Sequence, residues 1–267
     1  MNSQGVAPQA AYFQRLDTLR FRATEHVGGG WNPAEQHVAP ALGLLAHAVE
    51  ADRDARRDDR LPLARLSYDI LGVLPIDAVD IEVTVLRAGR TIELVEARLS
   101  HSGRAAVVLR AWLMQEYDTA AVAGTPFARI AKPEEMPEWD PTTLWPGGFI
   151  RSVQVRRQQI EPGRASFWLR TDVALIEGER VSATARAVGL LDTANGMTPR
   201  ATTEQVAFPN LDLTAHLFAA PRGDWLGFDT TASFGANGIG LTHSIIHDAD
   251  GPIGAVSQCL TVRPRRT

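Results

Sequence analysis

The sequence is almost without cysteine and lysine: Cys259 stands alone among 267 residues, and Lys132 is the only lysine. A lone cysteine excludes an internal disulfide and a thiolate-built metal site, and it suits a reducing compartment. No apolar run approaches the roughly 18 residues of a membrane span, and the polar stretch from Met1 to Gln14 has no hydrophobic segment of a secretion signal. A soluble, cytoplasmic protein with no membrane partner is the expectation. Net charge is only −4, so bulk electrostatics give no reason to expect a nucleic-acid partner. There is no Gly-x-Ser-x-Gly elbow, the signature of one large class of serine hydrolases. The seven histidines show no metal-ligand spacing, and neither metal nor cofactor is expected. Nearly all positive charge is arginine, whose planar fork suits phosphate groups.

What is present is an ordinary globular composition, 45% apolar and 22% charged. Residues 1–34 read as irregular and end in Gly28-Gly29-Gly30-Trp31-Asn32-Pro33. Leu42, Leu45, Ala46 and Val49 then recur at helical spacing over residues 40–56, with Pro40 in the first turn. Alternating segments follow at 63–74, 78–87, 91–101 and 105–117, separated by turn residues such as Pro75 and Gly103. One helix and a long antiparallel meander make an α+β pattern, with the helix laid on the sheet. Residues 120–148 carry Pro126, Pro133, Pro137, Pro141 and Pro146 and read as an extended linker.

The pattern then restarts. Strands are expected at 149–159 and 164–171, an alanine-rich helix at 178–195, and strands at 205–218, 225–234, 240–247 and 253–262. Pro75 corresponds to Pro221, Gly103 to Gly251, and residues 107–114 to 255–262. This self-similarity divides the chain into halves at 1–119 and 149–267 around the linker at 120–148.

These residues resemble the double-hotdog acyl-CoA thioesterases of the thioesterase II (TesB-like) group. The carriers are Gly30-Trp31-Asn32, the run from Gln36 to Leu42, Leu86-Arg87-Ala88-Gly89-Arg90, the run from Pro133 to Pro137, the run from Leu190 to Gly196, and the run from Ala255 to Leu260. The resemblance implies two tandem hotdogs, each a helix wrapped by an antiparallel sheet, packed as a pseudo-dimer. It also implies an acyl-CoA or acyl-carrier thioester substrate, hydrolysis to acid and thiol, and no metal.

In that family an Asp at the end of the second-half helix, a Gln on the last strand and a small polar residue on an intervening strand do the chemistry. Asp192 matches the first. It stands in the expected last helical turn, where the macrodipole disfavours a carboxylate, with Asn195-Gly196 as the expected C-cap. Gln258 matches the second: at strand spacing it shares a face with Val256, Leu260 and Val262, a polar side chain in an apolar row that must find partners. The third position is Asn210, an amide where the family commonly has a hydroxyl, with Thr214 on the same strand as an alternative. The repeat places Arg110 or a neighbour opposite Gln258, and about His47 opposite Asp192, so one site per chain is expected. Backbone N–H groups of the Asn32 to His37 loop would stabilise an oxyanion.

Other features carry less. The three glycines from Gly235 to Gly240 read as a hairpin loop, His243 and His247 as surface residues, and Arg263, Arg265 and Arg266 as a solvated basic end. Cys259 points away from the face of Gln258, and Trp31, Trp145, Trp168 and Trp225 read as packing residues. Two rivals remain: a non-catalytic acyl-CoA- or partner-binding hotdog, and a hydratase. The hydratase would need His37 paired with an aspartate, and none stands at a suggestive spacing. The fused halves already form a pseudo-dimer, and a homo-oligomer is left open.

Overall fold

The computed structural model describes residues 10–265; Arg266 lies outside them. The chain opens with β1 (Ala11–Asp17) and β2 (Arg20–Ala23), strands where the sequence reads as irregular. Tyr12 and Phe13 are adjacent and both buried, because β1 lies inside the sheet between β2 and a parallel strand. Consecutive buried side chains hide the alternation by which a strand is usually recognised.

Helix α1 (Val38–Arg56) follows and is buried through nearly its whole length, since sheet covers one side and the second half the other. The Tyr68 hydroxyl donates to the Leu42 carbonyl at 2.9 Å and ties helix to sheet. At the far end Arg56 and Arg57 hold the fully buried Glu93, at 2.5 and 3.0 Å. Strands β3 (Leu63–Ile70), β4 (Ala78–Arg87), β5 (Ile92–His101) and β6 (Arg104–Met114) complete the first half. They are not a simple meander: β3 pairs with β6, not β4, so the chain crosses over at Pro75.

The 120–148 stretch is not simply extended: it holds short 3₁₀ turns at Ala120–Val122, Pro133–Glu135 and Pro141–Thr143, and it is packed. The strand β7 (Glu138–Trp139) pairs with β8 (Val153–Glu161), and Met136 and Trp145 are buried. His247 is buried too, against expectation: its Nε2 lies 3.1 Å from the Ala128 carbonyl, so this stretch covers it. Helix α2 (Gly148–Ser152) leads into β8, then β9 (Arg164–Thr171) and β10 (Ala174–Ile176), the parallel neighbour of β1.

The expected helix at 178–195 is broken. It consists of α3 (Ala183–Val188), a single tight turn (Leu191–Thr193) and α4 (Ala194–Met197). The cause is the crossing with α1. A Cβ on Gly43 would sit 2.8 Å from the Ala185 carbonyl oxygen and 2.9 Å from the Gly189 Cα, so two glycines let the backbones touch. Gly189 closes α3 there. Asn195 and Gly196 lie inside α4 rather than capping a longer helix, and the Gly196 carbonyl accepts from Trp145 Nε1 at 2.8 Å.

The two-residue β11 (Val206–Ala207) precedes β12 (Asp212–Leu217), β13 (Leu226–Phe234), β14 (Ile239–Asp248) and β15 (Gly251–Thr261); β16 (Arg263–Pro264) pairs back with β11. Among the described residues fourteen strands form one sheet, in the order β10-β1-β2-β4-β5-β6-β3-β12-β15-β14-β13-β9-β8-β7. Read outward from the β3–β12 junction, the two halves repeat the same strand sequence. Ser67 pairs with Thr214 in the middle of that ladder, and with this pair as the centre of the repeat the two are equivalent. Ser67 also faces Arg110, and Thr214 faces Ser257. The counterpart of Gln258 is therefore the buried Ala111, one residue beyond the exposed Arg110. Gly43 and Gly189 meet at the helix crossing, and with these two as equivalents the counterpart of Asp192 is Ala46, next to His47. The architecture is an α+β double hotdog.

Candidate active site

Asp192 is presented by the tight turn after α3 and not by a helix end, so the unfavourable dipole argument does not apply to it. The residue is 5% exposed. The carboxylate Oδ1 accepts two hydrogen bonds, from Asn210 Nδ2 at 2.6 Å and from Gln258 Nε2 at 2.8 Å. Three residues that are 18 and 66 positions apart in the chain thus meet at one oxygen atom. Burial pushes the Asp192 carboxyl up to about 7, while the two amide donors pull in the opposite direction.

The sheet explains how the partners arrive. Gln258 faces inward from β15 with Val256 and Leu260, while Cys259 is exposed on the other side. Asn210 bridges to Leu260, whereas Thr214 pairs with Ser257. The register slips by one residue between these pairs, so Asn210 turns inward beside Gln258 and Thr214 turns outward. Thr214 hydrogen-bonds Ser67 at 2.9 Å and takes no part in the site. The slip is held by the Cys259 N–H donating to Asp212 Oδ1 at 2.6 Å and the Leu211 N–H donating to the Cys259 carbonyl at 2.9 Å.

The other carboxylate oxygen, Oδ2, faces the first half. His37 Nδ1 stands 3.9 Å away, too far for a hydrogen bond. The aspartate that sequence spacing failed to supply for His37 is therefore Asp192, brought in from the other half. Burial lowers the His37 imidazole to about 4, so at neutral pH the contact is not an ion pair. Nδ1 is already committed as the N-cap of α1, accepting from the Ala39 N–H at 3.2 Å.

Asp192, Asn210 and His37 open onto a cavity of about 560 Å³. Trp31, Trp145 and Phe208 form part of its wall in edge-to-face contacts, with ring centroids 4.8 to 5.9 Å apart. Trp31 and Trp145 are thus cavity residues as well as packing residues; their sequence neighbours carried no signal of this. Arg263 and Arg265 also line the cavity, so that part of the basic end is not a mere tail. The expected oxyanion donors are largely spent. In the loop entering α1 the Ala34 N–H donates to Asn32 Oδ1, Glu35 to the Asn32 carbonyl, Gln36 to the Leu74 carbonyl and His37 to the Val27 carbonyl. Pro33 has no N–H to offer. Among the described residues no cluster of His, Cys, Asp and Glu could hold a metal ion, and no helix is long and apolar enough to cross a membrane.

Comparison with known proteins identifies the family and the fold. Residues 27–114 match the acyl-CoA thioesterase N-terminal domain family, and residues 130–262 match the acyl-CoA thioesterase C-terminal domain family. No curated protein sequence matches significantly. Among solved structures, the acyl-CoA thioesterase II TesB2 from Mycobacterium marinum has 16% identity and a TM-score of 0.66, covering 95% of each chain. A tesB protein from Mycobacterium avium subspecies paratuberculosis has 17% identity and a TM-score of 0.67, covering 94% of this chain and 96% of that one. A conserved protein of unknown function with a hot dog fold from Alicyclobacillus acidocaldarius has 14% identity and a TM-score of 0.71, covering 95% and 96%. With both of its halves matched in order, the chain belongs to the double-hotdog acyl-CoA thioesterase family.

Proposed function

We propose that the protein hydrolyses an acyl thioester, of coenzyme A or of an acyl carrier, with water activated by Asp192. The observation that carries this reading is the convergence of Asn210 and Gln258 on one oxygen of a buried carboxylate that lines a cavity. A carboxyl held near 7 is half ionised at neutral pH, which suits a general base. The two amides fix its orientation and leave Oδ2 for a water. Gln258 Oε1 is buried without a partner among the described residues and is available to accept the second hydrogen of that water. The water oxygen forms the bond to the carbonyl carbon as Asp192 takes its proton. Collapse of the tetrahedral intermediate breaks the C–S bond, and the proton on Asp192 passes to the departing thiolate.

The close approach of His37 to Asp192 favours a second reading, hydration of a 2-enoyl thioester, in which the two groups would act as acid and base. The commitment of Nδ1 to the helix cap and the resistance of the ring to protonation weigh against it. One assay separates the readings. Free thiol released from acyl-CoA, abolished in Asp192→Asn, supports hydrolysis. A 3-hydroxyacyl product from a 2-enoyl-CoA supports hydration, and saturable acyl-CoA binding without turnover would make the protein a binding module.

A further inference from the structure

We propose that the Nε2–H of His37 is the catalytic donor that receives the negative charge developing on the thioester carbonyl oxygen. The inference rests on the hydrolytic reading above and supplies the element that reading lacks. Four backbone N–H groups of the loop entering α1 are consumed by the protein itself, which leaves few donors there for the oxyanion and room for a side-chain donor.

His37 is built for the task. Its Nδ1 accepts from the Ala39 N–H, which places the ring proton on Nε2. Nε2 has no partner among the described residues, and the residue lines the cavity. The ring cannot turn freely, because it lies against Phe149 at a centroid distance of 4.3 Å and an interplanar angle of 34°. Phe149 is itself fully buried and fixed by its N–H to the Gly28 carbonyl at 3.0 Å. The 3.9 Å between Nδ1 and Asp192 Oδ2 puts the imidazole and the base on adjoining walls of one chamber. Burial keeps the ring neutral down to about pH 4, so the base beside it does not draw off a proton and Nε2 remains a donor. A neutral imidazole held as a donor beside a carboxylate base is a workable pairing for stabilising a forming oxyanion.

In the step itself no proton leaves His37. The water oxygen bonds to the carbonyl carbon, the C=O π pair moves onto oxygen, and Nε2–H holds that oxygen. The pair returns as the C–S bond breaks.

Two substitutions separate this role from the capping role. Asn at position 37 places an amide oxygen near the site of Nδ1, so His37→Asn keeps the cap for Ala39 and removes the donor. Gln places an amide nitrogen near the site of Nε2, so His37→Gln keeps a donor and loses the cap. Thiol release from acyl-CoA is then measured with thermal unfolding of both variants. His37→Asn is expected to unfold like the wild type while kcat falls about 10²-fold with KM little changed. His37→Gln is expected to unfold at lower temperature yet recover about tenfold of that lost kcat. The opposite order of activities, or His37→Asn turning over at close to the wild-type rate, overturns the proposal.

A second measurement does not depend on turnover. In the ¹⁵N-labelled wild type, a ketone analogue of acyl-CoA, with CH2 in place of sulfur, should move the His37 Hε2 resonance downfield. That shift in a protein without thioesterase activity would sink the hydrolytic reading while leaving His37 as the carbonyl donor. A bound analogue with no shift would remove His37 whatever the activity.

Discussion

The two halves share one strand order, but their inner faces differ in chemistry. On the second-half sheet Thr230, Thr242, Ser244 and Gln258 face inward. The pairings place Val83, Val95, Ala97 and Ala111 at the equivalent positions of the first half. Asp192 and Asn210 likewise face Ala46 and Leu63 across the pseudo-two-fold. The Thr230 and Ser244 hydroxyls satisfy each other at 2.7 Å, but Thr242 Oγ1 and Gln258 Oε1 are buried without partners among the described residues. Burying such groups costs free energy that an apolar row does not. On these inner-face positions the polar groups therefore fall on the second half, and the first half lends the site a helix start, His37.

The most direct way to break this comparison is to remove the carboxylate. Asp192→Asn should lower kcat for thioester hydrolysis by about 10³-fold, followed as free thiol. Moving the charge instead of deleting it should fail: Ala46→Asp is expected to cost about 3 kcal/mol or more in urea unfolding, because no amide pair awaits it, and to create no second site. The helix crossing relates the halves, and Gly43→Ala should cost about 1–3 kcal/mol in the same measurement, since its methyl would meet backbone on both sides.

Changes in pH sharpen the contrast further. The rate should rise with pH through a midpoint near 7, as Asp192 ionises. Asn210→Ala or Gln258→Ala should move that midpoint upward, because each removes a donor that favours the charged form. Stability has two opposing slopes. Asp192, raised from 3.8 to about 7, binds a proton in the folded state that the unfolded chain has lost, so it makes stability fall as pH rises through that window. His37, lowered from 6.5 to about 4, is protonated first in the unfolded chain, so it makes stability rise with pH between those values. The slopes oppose each other in the wild type. Asp192→Asn should therefore become more acid-sensitive between pH 4 and 6.5, and unfolding midpoints across that range check it. The smallest effect belongs to Thr214→Ala, which should cost about 0.5–1 kcal/mol at the Ser67 contact and leave kcat unchanged.

Much of this was legible in the chain. Helix α1, its start near Pro40, most of the strands and the duplication follow from hydrophobic period and turn residues. Asp192 and Gln258 stand out as polar residues among apolar neighbours. The register slip that turns Asn210 inward was not legible, because it depends on Asp212 bonding the Cys259 N–H across the sheet. The broken helix was hidden as well. Alanine-rich residues 183–197 have good helical propensity, and the interruption comes from α1 pressing on Gly189. The strand β1 was masked by having two adjacent buried residues, and His247 by the cover that residues near Ala128 provide.

Local pattern by itself determined the double α+β layout and the presence of an out-of-place carboxylate and amide, since period and polarity are properties of neighbouring residues. Only the tertiary structure decided that these groups share one oxygen atom, that Asn210 and not Thr214 joins them, and that His37 stands beside them. Those outcomes depend on strand register and helix contact between segments from 18 to more than a hundred residues apart, and no local free-energy preference encodes either one.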